Sequence, residues 1–324
     1  MTRLLILNSS NLADIVHSLQ VATSLKEQVQ DLEITMVVRD SFAPIVRACP
    51  VVANTAVFYR QGGVLAFLRL TRELRRTHFD LLFDFQGLLR TGLMAWRADA
   101  GRKIGRSDAR ERAGLFYDEQ VPLPAGGRRS HPIEILLQFC PLLGAKAELR
   151  GQLAFREVAG LNLDFALGHG RVRPIVMFPD SRRPERCWPG FKQLTDLLLR
   201  EDRTRRVVWA GSHYLPDKDA FPPGQFLNLT GNTSVVSLPA LVGNAAWVIA
   251  NDSGPLHLAA ALGVPVLGIF GPTDPRRHGP YPLLAPTNHV IQAPVGDLRL
   301  LPAKEVYARF QRLGAPARRT LASS

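Results

Sequence analysis

The sequence predicts an α/β protein built from two doubly wound, Rossmann-like halves that face a central cleft. Three observations predict it. Short apolar runs alternate with amphipathic helical stretches through both halves. The pattern lapses near Val158–Arg173 and restarts at Pro174. At 324 residues the chain is long for one core, so two domains are the default.

In the first half, Arg3–Leu7, Glu33–Val38 and Asp80–Asp84 read as strands. Asp14–Leu25, Leu65–Leu74, Leu88–Arg97 and His131–Leu143 read as helices. In the second, Pro174–Phe178, Arg206–Ala210, Gln225–Leu229, Ala246–Ala250 and Pro265–Phe270 are strands. Phe191–Arg200, Ser234–Val242, Pro255–Leu262 and Ala303–Leu313 are helices. The domains are expected at 1–165 and 172–302, followed by a terminal helix at 303–313 and a disordered, small and basic tail at 314–324.

Composition narrows the class. Hydrophobic residues at 46% and charged residues at 21% are ordinary for a soluble globular protein. No apolar run approaches the roughly 18 residues that span a bilayer. Leu4–Leu7 is too short for a signal-peptide core, so a cytoplasmic protein is expected. Cys49, Cys140 and Cys187 are odd in number and lack CxxC spacing, which suggests neither a disulfide framework nor a zinc site. The net charge of +12 favours a polyanionic partner, or reflects an arginine-rich composition alone. No aromatics interleave with the basic runs, which makes nucleic acid the weaker partner.

The most informative segment is Asn251-Asp252-Ser253-Gly254-Pro255-Leu256-His257, followed by Gly271-Pro272-Thr273-Asp274-Pro275. A buried strand ends on Asn251-Asp252, a small-residue turn follows, and Pro255 opens a helix, a position proline tolerates. Strand, turn and helix aim free backbone N–H groups and the positive helix end at one point, which suits a phosphate. His257 is either a satisfied core histidine or a contact to that ligand.

The first turn, Leu7-Asn8-Ser9-Ser10-Asn11-Leu12-Ala13-Asp14, contains no glycine, which disfavours the dinucleotide fingerprint. Asp14 reads either as a carboxylate complementing the helix dipole or as a general base facing the cleft. Arg182, Arg183 and Arg186, after the first strand of the second half, are either solvated or phosphate clamps with matching fork geometry. Asp217-Lys218-Asp219 has Asp-x-Asp spacing but lies in a Pro/Gly-rich surface stretch. Metalloprotease and serine-hydrolase motifs are absent from the sequence.

These segments resemble the bacterial ADP-heptose:lipopolysaccharide heptosyltransferases, inverting glycosyltransferases of family 9 with the GT-B fold. The resemblance runs from Leu4 to about Phe310 and is carried by motifs in the expected order. They are Ser10–His17, Asp84-Phe85-Gln86-Gly87-Leu88, Arg102-Lys103-Ile104-Gly105, His131 with Glu134, Asn251–His257 and Phe270–Pro275.

The resemblance implies an ADP-L-glycero-D-manno-heptose donor and the anionic, lipid-linked lipopolysaccharide inner core as acceptor, with no metal and with peripheral contact at the inner membrane. It implies Asp14 as general base and Arg186 as the catalytic cation. Ser181, Arg182, Asp217, Asp252, Ser253, Gly254, His257 and Thr273 would face the donor. Ser10, Asn11, Gln86, Arg90 and Arg106 would face the acceptor, and the terminal helix would cross back to the first domain.

Three departures stand out. Ala13 replaces the family's glycine, at roughly 1 kcal/mol if the turn needs a positive φ. Arg186 replaces its lysine, and only Asp217 is near where an acid should hold the ribose. Another donor, a sugar-nucleotide epimerase or a non-catalytic binding protein are the alternatives these departures leave.

Overall fold

The computed structural model describes residues 1–156, 172–181, 183–216 and 221–314. Arg182, Asp217, most of the expected linker and the tail from 315 onward lie outside the described residues. The chain forms two compact units, Met1–Val158 and Ala159–Ser324.

The first unit carries β1 (Thr2–Leu7), α1 (Leu12–Gln28), β2 (Leu32–Arg39), α2 (Ala43–Ala48), β3 (Asn54–Phe58) and α3 (Gly63–Arg76). It continues with β4 (Phe79–Asp84), α4 (Leu89–Arg97), β5 (Ala100–Arg106), β6 (Glu119–Val121) and α5 (Pro132–Leu137). All six strands are parallel, in the order β3-β2-β1-β4-β5-β6.

The second unit carries β7 (Ile175–Phe178), α6 (Phe191–Glu201), β8 (Val207–Gly211), β9 (Phe226–Thr230), α7 (Leu238–Gly243) and β10 (Trp247–Asn251). There follow α8 (Gly254–Ala261), β11 (Val266–Phe270), α9 (Pro275–His278), β12 (Asn288–Gln292) and α10 (Ala303–Leu313). Its parallel order, β12-β11-β10-β7-β8-β9, repeats the first in mirror listing. In such sheets the strand order reverses between two neighbours, and ligands sit outside the carboxyl ends there. Those neighbours are β1 and β4 in one unit, β7 and β10 in the other.

The central strands Leu4–Leu7, Ile175–Phe178 and Val266–Phe270 are buried throughout, as strands covered on both faces must be. Leu5, Leu82, Met94 and Phe58 share one core of the first unit. Trp209, Trp247, Leu194 and Phe310 share the core of the second.

Four strands escape the sequence reading: β3, β5, β6 and β12. The predicted helix His131–Leu143 is broken; α5 stops at Leu137, and Cys140–Leu143 is a 3₁₀ turn around Pro141. Helix α10 packs on α6 and buries Val306 and Phe310 in the core of the second unit. No described helix is long and apolar enough to cross a membrane.

Candidate active site

The first cluster gathers at the carboxyl ends of β1 and β4. Asn11 caps α1: its side-chain oxygen accepts from the Asp14 amide at 3.1 Å, and its Nδ2 donates to Asp14 Oδ2 at 2.7 Å. Ser18 Oγ and Asn8 Nδ2 donate to the Asp14 carbonyl at 2.9 and 3.1 Å, and Asn8 also donates to Ser18 at 2.7 Å. Asp14 is therefore held by both its backbone and its carboxylate, half-buried in the first helical turn. His17, one turn on, is buried with its ring edge toward His131, centroids 5.3 Å apart.

Gln86 ties β4 to this loop, because its Oε1 accepts from both Ser9 N at 2.8 Å and Ser9 Oγ at 2.9 Å. Asp84 in turn shapes the Gln86 turn. Its Oδ1 accepts from the amides of Gln86 (2.9 Å) and Gly87 (3.0 Å), and its Oδ2 accepts from Tyr117 Oη at 2.7 Å. Gly87 takes φ +66°, a left-handed value that glycine adopts without strain. Burial pushes the Asp84 carboxyl above the usual carboxylate range, against the pull of these hydrogen bonds, and raises Tyr117 as well.

Ala13 sits inside α1, not at a positive φ, so the strain expected of the missing glycine does not arise. Among the expected acceptor residues, Ser10, Asn11 and Gln86 share this cluster with Asp14. Arg106 instead grips Asp108 through two bonds of 2.8 and 2.9 Å and donates to the Phe85 carbonyl. Arg90 lies over the Phe58 ring at 5.0 Å, at the end of β3.

The second cluster gathers at the ends of β7, β10 and β11. Asn251, on β10, donates to the Pro179 carbonyl at 2.9 Å and accepts from the Trp188 amide at 3.0 Å. Trp188 Nε1 donates to the Leu301 carbonyl, so Trp188 is held through both its amide and its indole. That places Arg186 Nη1 2.7 Å from Asp252 Oδ2, which also accepts from Thr273 Oγ1 at 2.8 Å.

Ser253 occupies the N-cap of α8 but caps nothing, and its hydroxyl is buried with no hydrogen-bond partner among the described residues. Gly254 begins the helix behind it. His257, one turn in, is buried; burial, then His278 and Arg186, pull its pKa down to about 4. The structure thus brings Arg186, Asp252, Ser253, Gly254, His257 and Thr273 together. Ser181 lies on the loop after β7 and accepts a long 3.5 Å bond from the Arg183 amide.

Two residues of this cluster escape the sequence reading. Asp180 accepts from Ser212 N at 3.0 Å, Ser212 Oγ at 3.2 Å and His213 Nδ1 at 3.1 Å, pinning the β8 loop. A Cβ at Gly211 would collide with that carboxylate. An acid two residues past the end of a buried strand is the signal that marks it. His278 ends α9 and feels the Asp252 charge, although burial still lowers its pKa. Its place one turn beyond the Asp274 cap is its signal. The three cysteines are free. Among the described residues no three His, Cys, Asp or Glu side chains converge as a metal site.

The chain matches the model of glycosyltransferase family 9 (heptosyltransferase) over residues 67–294. It is 25% identical over 298 residues to the lipopolysaccharide core heptosyltransferase OpsX of Haemophilus influenzae, covering 86% of this chain and 81% of that protein. It is also 25% identical over 331 residues to lipopolysaccharide heptosyltransferase 1 of Escherichia coli K12, covering 96% and 100%. The structure of E. coli heptosyltransferase WaaC with ADP superposes with a TM-score of 0.80 at 21% identity, covering 97% of this chain and 100% of that one. E. coli ADP-heptose heptosyltransferase II superposes at 0.73 over 97% and 98%, at 20% identity, and shares the GT-B fold. The chain belongs to glycosyltransferase family 9, the heptosyltransferases.

Proposed function

We propose that this glycosyltransferase moves a heptose from ADP-L-glycero-D-manno-heptose to the lipopolysaccharide inner core, with inversion, on the cytoplasmic side of the inner membrane. The acceptor sugar is Kdo or a heptose. Its hydroxyl proton passes to Asp14, its oxygen bonds the anomeric carbon from the face opposite the diphosphate, and the bond from that carbon to the diphosphate breaks, releasing ADP. Ser10, Asn11 and Gln86 contact the acceptor, with Arg90 attracting its anionic groups.

The second unit holds the diphosphate. The Ser253 hydroxyl, the Gly254 amide and the positive end of α8 face it, and Arg186 supplies the charge that stabilises the departing oxygens. Asp252 and Thr273 hold Arg186 in place, and His257, neutral at pH 7, adds a ring N–H without a competing proton equilibrium. Ser181, Arg182 and Asp217 are assigned to the rest of the nucleotide sugar. In this reading the helix end and Arg186 supply the positive charge, and the ADP-sugar is a substrate.

The observation that carries the reading is the held Asp14: its carboxylate accepts from the N-cap Asn11, and its carbonyl from Asn8 before the helix and Ser18 within it. The names of the relatives favour transfer over epimerisation or binding alone. The crystal structures of E. coli WaaC with ADP and with ADP-2-deoxy-2-fluoro heptose favour an adenine nucleotide donor.

The test pairs binding with turnover. Calorimetric titration with ADP, UDP, GDP and NAD is expected to show selective ADP binding. Asp14→Asn should keep that affinity while transfer from ADP-heptose falls by roughly 10²–10⁴-fold. Undiminished transfer by the variant would overturn the role of Asp14, and preference for UDP or NAD would overturn the donor.

A further inference from the structure

Two buried histidines take part in no step of the proposed transfer, and they meet each other. His17 and His131 are only 3% and 1% exposed, with ring centroids 5.3 Å apart in an edge-to-face contact. Burying an imidazole forfeits its hydration, so each position asks what the ring supplies that a simpler side chain would not.

His131 stands at the N-cap of α5, where serine, threonine, asparagine or aspartate is the usual choice. Its Nδ1 accepts from the Ile133 amide at 3.2 Å, and its own amide donates to Glu134 Oε2 at 3.2 Å. An asparagine could keep both bonds. What the imidazole adds is a ring, oriented by the cap and set against α1.

His17 receives that ring one turn beyond Asp14. Side chains on a helix lean toward its N-terminus, so the His17 ring lies over the turn that Asp14 occupies. The hydrogen bonds from Asn8, Asn11 and Ser18 hold Asp14 from within its own segment. The ring contact ties the same turn to a different helix. The chain after α5 reaches the other arm of the cluster as well: the Phe139 ring lies 5.1 Å from that of Phe85, the neighbour of Gln86.

We propose that His17 and His131 are positioning residues, and that their ring contact lets α5 set the aim of the Asp14 carboxylate. The inference rests on Asp14 being the base and adds the part of the fold that directs it.

Two variants break the contact in different ways. His131→Asn keeps the cap and removes the ring, while His17→Leu fills the space without one. His131→Asn is expected to hold the parent's urea midpoint, because asparagine caps well. In both variants kcat for heptose transfer should fall about 10–30-fold. KM for each substrate and ADP affinity should stay within about twofold. The double variant should fall no further, since one contact is removed twice. Amide hydrogen exchange needs no substrate: over Leu12–Val16 it should quicken about three- to tenfold, while α5 exchanges as in the parent.

Parent kcat in His131→Asn would overturn the inference and leave His131 as a helix cap alone. So would unchanged exchange over Leu12–Val16, additive losses in the double variant, or a loss expressed in KM or ADP affinity. If His131→Asn loses its fold, His17→Leu decides by the same kcat and exchange readings. The base is tested apart. Undiminished transfer by Asp14→Asn would overturn both readings, whereas an inactive Asp14→Asn beside a fully active His131→Asn would overturn only this one.

Discussion

Arg186 Nη1 stands 2.7 Å from Asp252 Oδ2, and the two side chains are only 21% and 6% exposed. In the proposed donor site a carboxylate would oppose a diphosphate unless its charge is neutralised, and Arg186 neutralises it. Arg186→Ala should therefore lower unfolding stability by roughly 3 kcal/mol, since Asp252 is left buried and uncompensated. Arg186→Ala with Asp252→Asn should recover much of this, while ADP affinity stays low in both. Urea denaturation and calorimetry measure the two effects, and a stable Arg186→Ala protein would mean that solvent reaches Asp252.

His257 gives the second unit an acid-sensitive limb. Its folded pKa of about 4 lies below the ordinary 6.5, so the unfolded chain takes up the proton first as pH falls. The stability that depends on a neutral His257 is complete above about pH 6.5 and is lost progressively down to about pH 4. The loss amounts to at most about 3 kcal/mol. Unfolding followed between pH 7.5 and 4.5 should be flatter for His257→Gln than for the parent, and parallel curves would refute the assignment.

The two bonds from Ser9 to Gln86 Oε1 join the loop carrying Asp14 to the end of β4. Gln86→Leu keeps the volume and removes the acceptor, so the Asp14 loop loses its cross-sheet tether. Transfer is expected to fall on the order of 10–100-fold, because small displacements of a catalytic group are costly. ADP affinity should stay within about twofold, since the residues proposed to hold the nucleotide belong to the other unit. Kinetics alongside ADP titration separate this from general unfolding, which would lower both.

What the sequence could reveal follows from burial. Strands covered on both faces, such as Leu4–Leu7 and Val248–Ala250, stand out as apolar runs. Ala100–Arg106 does not, because Arg102 is exposed and Lys103 half-buried near the sheet margin. Glu119–Val121 and Asn288–Gln292 are edge strands with polar residues, and their pairing is visible only in three dimensions. The site was legible where one local segment holds it, as in Asn251–His257. Asp84 with Tyr117, and Asp180 with Ser212, are meetings of distant segments that no local pattern encodes. Nor does any local spacing disclose that Asp108 takes the Nε and Nη2 edge of Arg106 while Nη1 donates to the Phe85 carbonyl.

Gly105 offers the sharpest test of how that buried network supports the site. It lies on β5, and a Cβ there would fall within the Tyr117 ring, so Gly105→Ala must push the ring aside. Tyr117 Oη is the donor to Asp84 Oδ2, and Asp84 is the acceptor that turns the chain at Gln86 and Gly87. Displacing the ring leaves a fully buried carboxylate short of one donor, a loss of about 1–3 kcal/mol before any steric cost. Tyr117→Phe removes the hydroxyl alone and should cost about that much. Gly105→Ala should cost more, and Gly105→Ala with Tyr117→Ala should cost less than the sum of the two singles, because the clash is gone. Heptose transfer should fall in Gly105→Ala while ADP binding persists, since the disturbance passes through Asp84 and Gln86 to the Asp14 loop. If the two single variants lose stability but keep full transfer, Asp84 only holds the fold and does not position the base.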